Sequence, residues 1–271
     1  MVKTPEELAL MRISGRLLAS VFEMLDAQDL AGMSTLQVND LVERFITDDL
    51  AARPASKGQY GFQYVLNCSI NEVVCHGVPS AQDIIRDGDI INLDITLEKN
   101  GFIADSSKTY MVGTVNPAAR RLVRVAQEAM WEGIRQVRPG GHLGDVGAAI
   151  ERHAKKNGYS VVREYCGHGI GREMHEEPSV LNHGRPGTGP KLREGMTFTV
   201  EPMLNQGSRR VATADDGWTV VTEDGRLSAQ FEHTVAVTRT GVEVLTLRTD
   251  ETAGTGSRRG DAPVAIDRRS Q

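Results

Sequence analysis

Asp94, Asp105, His168, Glu201 and Glu232 are five possible metal ligands in separate segments of a 271-residue chain. Four carboxylates and one imidazole suit a pair of divalent cations better than a structural zinc, which sulfur and nitrogen donors usually hold. Two cations sharing one water would make a nucleophile at neutral pH.

The clearest local signal surrounds the two aspartates. Ile91, Leu93, Ile95 and Leu97 alternate with Asn92, Asp94, Thr96 and Glu98, and Asn100-Gly101 follows. Alternation predicts a strand, and Asn-Gly predicts a two-residue hairpin turn. Such a turn sets Asp105 opposite Thr96, with Asp94 its diagonal neighbour on the same face, roughly 7–8 Å away at the backbone. Carboxylates are common on solvated faces, but these flanks are apolar and β-branched. In a buried sheet two carboxylates need a cation or strong donors to stay ionised.

His168 and His175 share the segment G-H-G-I-G-R-E-M-H-E-E-P. Glycines around His168 let the backbone pass close to a ligand. His76 ends an apolar run, N-E-V-V-C-H-G, where a turn histidine is the plain alternative. In M-T-F-T-V-E-P-M, Thr197, Thr199 and Glu201 oppose Met196, Phe198 and Val200. In S-A-Q-F-E-H-T-V, Glu232 shares a face with Ser228, Gln230 and Thr234, while His233 falls on the apolar side and reads as structural. His142, His153 and His183 have no such context.

The elements that must position these residues are helices in pairs and strands in antiparallel hairpins, an α/β mixture. Pro5-Glu6-Glu7 opens a helix, Gly32 breaks it, and Ser34 or Thr35 caps a second with Val38, Leu41, Val42, Phe45 and Leu50 inward. Pro117 opens another, Pro139-Gly140-Gly141 ends it, and a fourth carries Val146 and Ile150. At one constant offset Arg12 matches Arg120, Gly32 matches Gly140, Val38 matches Val146, and Glu43-Arg44 matches Glu151-Arg152. That suggests two related halves facing each other across one site. Strands are expected over 89–98, 102–112, 196–202, 218–223 and 228–238.

Hydrophobic content of 39% and charged content of 25% are ordinary for a globular chain, and a net charge of -5 gives no reason to expect nucleic acid. Three cysteines without a C-x-x-C pair argue against a disulfide framework and for the cytoplasm. No signal peptide or membrane span is read. From about Thr249 the chain is rich in Arg, Asp, Gly and Ser, which predicts a disordered tail.

At S-I-N-E-V-V-C-H-G-V-P, D-G-D-I-I-N-L-D-I-T, A-D-S-S-K, C-G-H-G-I-G-R, H-E-E-P, F-T-V-E-P-M and S-A-Q-F-E-H-T the sequence resembles methionine aminopeptidase, type I, the form without a long insertion. The resemblance runs from about residue 4 to 247. It implies the pita-bread fold, two pseudo-symmetric halves around a dinuclear site, with 1–248 as one catalytic domain. It assigns Asp94 to one metal, His168 to the other, Asp105 and Glu232 as bridges, and Glu201 to the second ion and to proton relay. His76 and His175 would stand beside the scissile bond, and Phe62, Met174 and Trp218 are the methionine-pocket candidates. The cofactors would be two divalent ions, Co, Mn, Fe or Zn. A hydroxide bridging them would attack the first peptide bond of nascent polypeptides whose second residue is small, near the ribosome. The enzyme would be a monomer without nucleic acid or membrane partners.

Three departures stand out: Glu173-Met174 replaces the family's Gly-Phe, Gln63-Tyr64 replaces Pro-Lys, and Asn67 replaces a cysteine. They touch the expected pocket and leave the ligands intact. Two rivals remain open, a proline-specific peptidase such as a prolidase or aminopeptidase P, and a non-catalytic binder of peptide N-termini.

Overall fold

The Asn100-Gly101 turn folds as its residues demand, both at positive φ, 56° and 77°. It sets Lys99 opposite Phe102, and the register then places Asp105 opposite Thr96 and Asp94 opposite Ser107. This is the expected diagonal arrangement. The hairpin belongs to a computed structural model that describes residues 2–251.

In chain order the strands are β1 (Arg53–Pro54), β2 (Leu66–Ile70), β3 (Val73–Cys75), β4 (Ile90–Lys99) and β5 (Phe102–Met111). Then come β6 (Ser160–Val161), β7 (Gly167–Gly169), β8 (Glu176–Val180), β9 (Thr197–Val200) and β10 (Met203–Asn205). The last are β11 (Val211–Thr213), β12 (Val220–Thr222), β13 (Ser228–Gln230), β14 (Glu232–Val237) and β15 (Val242–Val244). Among the described residues the largest sheet has nine strands, ordered β1-β4-β5-β14-β9-β7-β8, with β2 also on β4 and β15 also on β14. Its ladders are antiparallel. Two three-stranded sheets, β13-β10-β6 and β11-β12-β3, complete the β structure.

Among the described residues four α-helices cover the strands: α1 (Pro5–Asp26), α2 (Thr35–Arg44), α3 (Pro117–Ile134) and α4 (Leu143–Lys156). Thr4 with Glu7 and Ser34 with Gln37 form capping boxes that satisfy the first free N–H groups of α1 and α2. Leu18, Phe22, Val38 and Val42 pack on Leu66, Ile91, Leu93 and Ile95. Leu122, Val125, Ala126, Val146 and Ile150 pack on Phe198, Val200 and Val235. Each helix pair thus has its own core over its own part of the sheet.

The slight sequence repeat is real in space. The first helix of each pair ends earlier than expected, at Asp26 and Ile134, and Gly32 and Gly140 lie in the connections that follow, at φ 85° and 84°. Gly32 N–H donates to Ile85 O and Gly140 N–H to Leu192 O, both at 2.9 Å. Isolated bridges join Ser34 to Ile84 and His142 to Lys191. The same clasp occurs in both halves, and each half contributes one carboxylate pair, Asp94 with Asp105 and Glu201 with Glu232.

Some expectations change. The stretch 228–238 is two strands, broken at Phe231. β13 pairs with β10 in a small sheet, whereas β14 pairs with β5 and β9 in the large one. Alternation continues through the break, so periodicity does not register the change of partner. Strands of three to five residues such as β2, β7 and β8 are too short for a periodic signal. No helix among the described residues is long and apolar enough to cross a membrane.

Thr249–Glu251, expected to begin the tail, form a 3-10 turn with Glu251 buried. The rest of that expectation lies outside the described residues. His233 is structural, as expected: fully buried, its Nδ1 is 2.9 Å from Thr246 Oγ1 and its Nε2 3.0 Å from Glu251 Oε2. Arg248 Nη2 donates to Glu251 Oε1 at 2.7 Å, and Arg248 Nη1 to Ser106 Oγ at 3.1 Å. Burial pushes the Glu251 carboxyl up, but His233 and Arg248 outweigh it and hold the group well below the usual carboxylate range. Glu251→Ala leaves a buried guanidinium without its partner, at a cost of about 3–5 kcal/mol. At roughly 2–4 °C per kcal/mol for a chain of this size, Tm falls by roughly 6–20 °C. Calorimetry checks this, and an unchanged Tm would mean that the clasp contributes nothing.

Candidate active site

His168 enters the large sheet on a three-residue strand, Gly-His-Gly, laid against β8 and β9. A Cβ on Gly167 would sit 2.5 Å from Thr199 O, and one on Gly169 would collide with Glu177 O. Glycine on both sides is therefore the condition for His168 to reach its place. Its Nδ1 lies 3.0 Å from Gly169 O. A carbonyl can only accept, so Nδ1 carries the proton and Nε2 presents a lone pair. Nε2 faces Asp105 Oδ2 at 3.7 Å and Glu201 Oε1 at 3.6 Å.

One ligand atom each from Asp105, His168 and Glu232 lies within 4.8 Å of the others. Asp94 and Glu201 stand beside this group, and Asp94 shares a hydrogen bond with Asp105. Burial pushes Asp94 up to about 6 and Glu201 up to about 8. Burial, then repulsion from neighbouring carboxylates, drives Asp105 and Glu232 well above the usual range. Burial, then His175, lowers His168 to about 4, so its ring is neutral at pH 7. Asp105 Oδ1 and Glu232 Oε1 are buried without a hydrogen-bond partner. Crowded buried acids, orphaned oxygens and one neutral imidazole together fit hard or borderline divalent cations.

The five residues open onto one cavity of about 530 Å³. His76, His175, Phe62, Met174 and Trp218 line the same space, so all ten residues singled out from the sequence converge there. His76 follows β3 at φ 57°, a left-handed backbone that turns its ring out of the strand direction. Gly77 makes the bend possible, because a Cβ there would collide with Cys68 O. The His168 and His175 rings are 4.3 Å apart between centroids. Phe62 and Trp218 are 5.1 Å apart and form an aromatic wall, with Met174 also lining the cavity. Cys75 and Cys166 line it too, but burial pushes both thiols up, away from the thiolate a nucleophile needs.

Residues 9–239 match the model of metallopeptidase family M24. The chain is 47% identical over 251 residues to the methionine aminopeptidase of Escherichia coli (strain K12), covering 93% of this chain and 95% of that one. It is 49% identical over 245 residues to methionine aminopeptidase B of Synechocystis, covering 89% of each. The crystal structure of methionine aminopeptidase from Rickettsia prowazekii superposes with a TM-score of 0.89 at 46% identity, covering 91% of this chain and 99% of that one.

The chain belongs to the methionine aminopeptidases of metallopeptidase family M24. Its fold is the pita-bread fold of that family, and membership implies divalent-metal dependence.

Within this methionine aminopeptidase the departures fall unevenly. Met174 lines the cavity, but Gln63 and Tyr64 do not: Gln63 donates to Gly61 O, and Tyr64 packs edge-on against Phe62. Asn67 reaches one of the five candidate ligands, its Nδ2 lying 3.4 Å from Asp94 Oδ2. The first departure pair thus touches the pocket through Met174, while Asn67 also lines it and adjoins Asp94.

Several site residues escaped the sequence reading. The Tyr60 hydroxyl lies 3.3 Å from His175 Nδ1, with the rings stacked at 5.9 Å. Thr199 Oγ1 donates to Glu201 Oε1 at 2.7 Å, and Gln230 Nε2 stands 3.5 Å from Glu201 Oε2. Thr199 was legible as the residue two before Glu201 on the same face of a strand. Tyr60 carried no local signal apart from nearby Gly58 and Gly61.

Cations bind ionised acids, so protons compete wherever those acids stay protonated. With Asp94 at about 6 and Glu201 at about 8, and Asp105 and Glu232 also raised, Mn(II) affinity rises as pH climbs from about 6 to about 8. Calorimetric titration at both ends, in buffers of different ionisation heat, checks this and should show more protons released at the lower pH. A pH-independent affinity contradicts it.

Proposed function

We propose that this cavity receives the N-terminus of a polypeptide and hydrolyses its first peptide bond, releasing methionine when the second residue is small. The observation that carries the reading is the convergence of four carboxylates and His168 on one cavity, with buried Asp105 and Glu232 oxygens lacking partners. Two divalent ions, Co, Mn, Fe or Zn, would be held there, Asp94 on one and His168 with Glu201 on the other, with Asp105 and Glu232 between them. When bound, such cations supply Lewis acidity and lower the pKa of a water they share.

The chain's own groups do the rest. Glu201 Oε1 is occupied by the Thr199 hydroxyl, which leaves Oε2 to take a proton from the attacking water and pass it to the leaving amine. A Tyr60 hydroxyl that donates to His175 Nδ1 leaves the ring proton on Nε2 for donation. His76 and His175 donate hydrogen bonds to the developing tetrahedral centre, worth about 3–4 kcal/mol for one such donor. Phe62, Met174 and Trp218 receive the methionine side chain by apolar burial. Residues 1–248 act as one catalytic domain, a cytoplasmic monomer working on nascent chains near the ribosome without nucleic-acid or membrane partners.

A panel of Met-Ala-Ser, Met-Leu-Ser, Ala-Ala-Ser and an Xaa-Pro dipeptide, each assayed with Mn(II) and Co(II), tests the reading. Methionine is released from Met-Ala-Ser far faster than any residue from the others. Silence on Met-Ala-Ser with every metal, or faster cleavage of the Xaa-Pro peptide, overturns it.

A further inference from the structure

Resting on the role given above to Glu201, we propose that Thr199 is a positioning residue: its one hydroxyl ties the strand of His168 to the carboxylate of Glu201 and holds that carboxylate for cation binding and proton transfer. Thr199 is fully buried. His168 N–H donates to Thr199 Oγ1 at 3.0 Å, and Oγ1 donates to Glu201 Oε1 at 2.7 Å. The directions are settled by chemistry, because a backbone N–H can only donate and a hydroxyl has a single proton. That proton is therefore committed to Glu201.

Local geometry explains why a side chain does this work. β7 and β9 meet through one paired position, Gly169 with Phe198. His168 is paired with Ser179 of β8 and not with a residue of β9, and on the β9 side its N–H meets the threonine hydroxyl. The approach depends on Gly167, whose Cβ would lie 3.0 Å from Thr199 Oγ1. Glu201 is otherwise loosely held at its carboxylate: Gln230 Nε2 is 3.5 Å from Oε2, and Asn182 grips only the backbone, donating to Glu201 O at 3.2 Å.

The same strand supplies a control. Thr197 is also buried, and its hydroxyl also bonds to the segment after His168, donating to Ile170 O at 2.6 Å. That bond serves backbone and not carboxylate. A merely structural role for buried threonines would make the two positions equivalent.

Compare Thr199→Val, Thr199→Ser and Thr197→Val in the full chain, by steady-state kinetics on Met-Ala-Ser and by calorimetric titration with Mn(II) alone. Thr199→Val should lower kcat and weaken Mn(II) binding by about 10–100-fold each, the range for groups that orient metal ligands, with KM little changed. Thr199→Ser keeps the hydroxyl and should restore both values to near wild type. Thr197→Val should leave both near wild type. The proposal is overturned if Thr199→Val matches wild type in both readouts, if Thr197→Val loses as much, or if Thr199→Ser fails to restore them. Should Thr199→Val not fold, the serine variant decides alone, because it removes the packing methyl and keeps the proton. A wild type inactive on Met-Ala-Ser would refute the peptidase reading, while the Mn(II) titrations still report on Thr199.

Discussion

Glu201→Gln lowers kcat on Met-Ala-Ser by about 10²–10⁴-fold, the usual contribution of a general acid–base group. Glutamine preserves the shape of the side chain and can still accept from Thr199, so the metal ligands stay where they are. What it loses is the capacity to take a proton. The wild-type carboxyl is suited to that task because burial pushes it up to about 8, close to neutral pH, where a group can both accept and release a proton. KM for the peptide should change little, because Glu201 is not one of the side chains proposed to receive methionine, Phe62, Met174 and Trp218. Glu201→Ala should fall further, since it also removes a proposed ligand oxygen. The check is a steady-state comparison of both variants with wild type, each saturated with Mn(II). Wild-type turnover in Glu201→Gln would contradict the assignment of the proton to this residue.

Chelation removes activity altogether, and Mn(II) or Co(II) returns it. Raised acids and orphaned oxygens at Asp105 and Glu232 mean that the folded chain can ionise these groups only at a cost. Cation binding relieves that cost, so metal should also raise thermal stability. At a free metal concentration of 100 Kd the gain is about 2.7 kcal/mol. For a chain of this size that is roughly 5–11 °C in Tm. Calorimetric scans of the chelated and metal-loaded protein, with elemental analysis of each, test both statements. Full activity in a sample shown to contain no divalent cation would contradict the first, and coincident melting curves the second.

Much of this protein could be read from order and period alone. Alternation through Asp94 and the Asn100-Gly101 turn determined the register of the central hairpin, because side-chain direction in a strand has a period of two and an Asn-Gly turn accepts positive φ. Helix, glycine break, helix, repeated at one offset, suggested two related halves, and glycine suits the break because Gly32 and Gly140 both take a left-handed backbone between their helices. The roles of the five ligands, by contrast, came from resemblance to a family.

Only the tertiary structure decided which strand lies beside which. Glu232 meets Ser107, and His233 meets Val200; pairings so distant in the chain leave no local trace. The break at Phe231 changes sheets without changing the alternation. Tyr60 meets His175, and Thr199 meets both His168 and Glu201. Such contacts depend on how separate strands are stacked and on where missing Cβ atoms let backbones approach. A sequence states the period of each element, but the distance between two elements is set by the packing of everything around them.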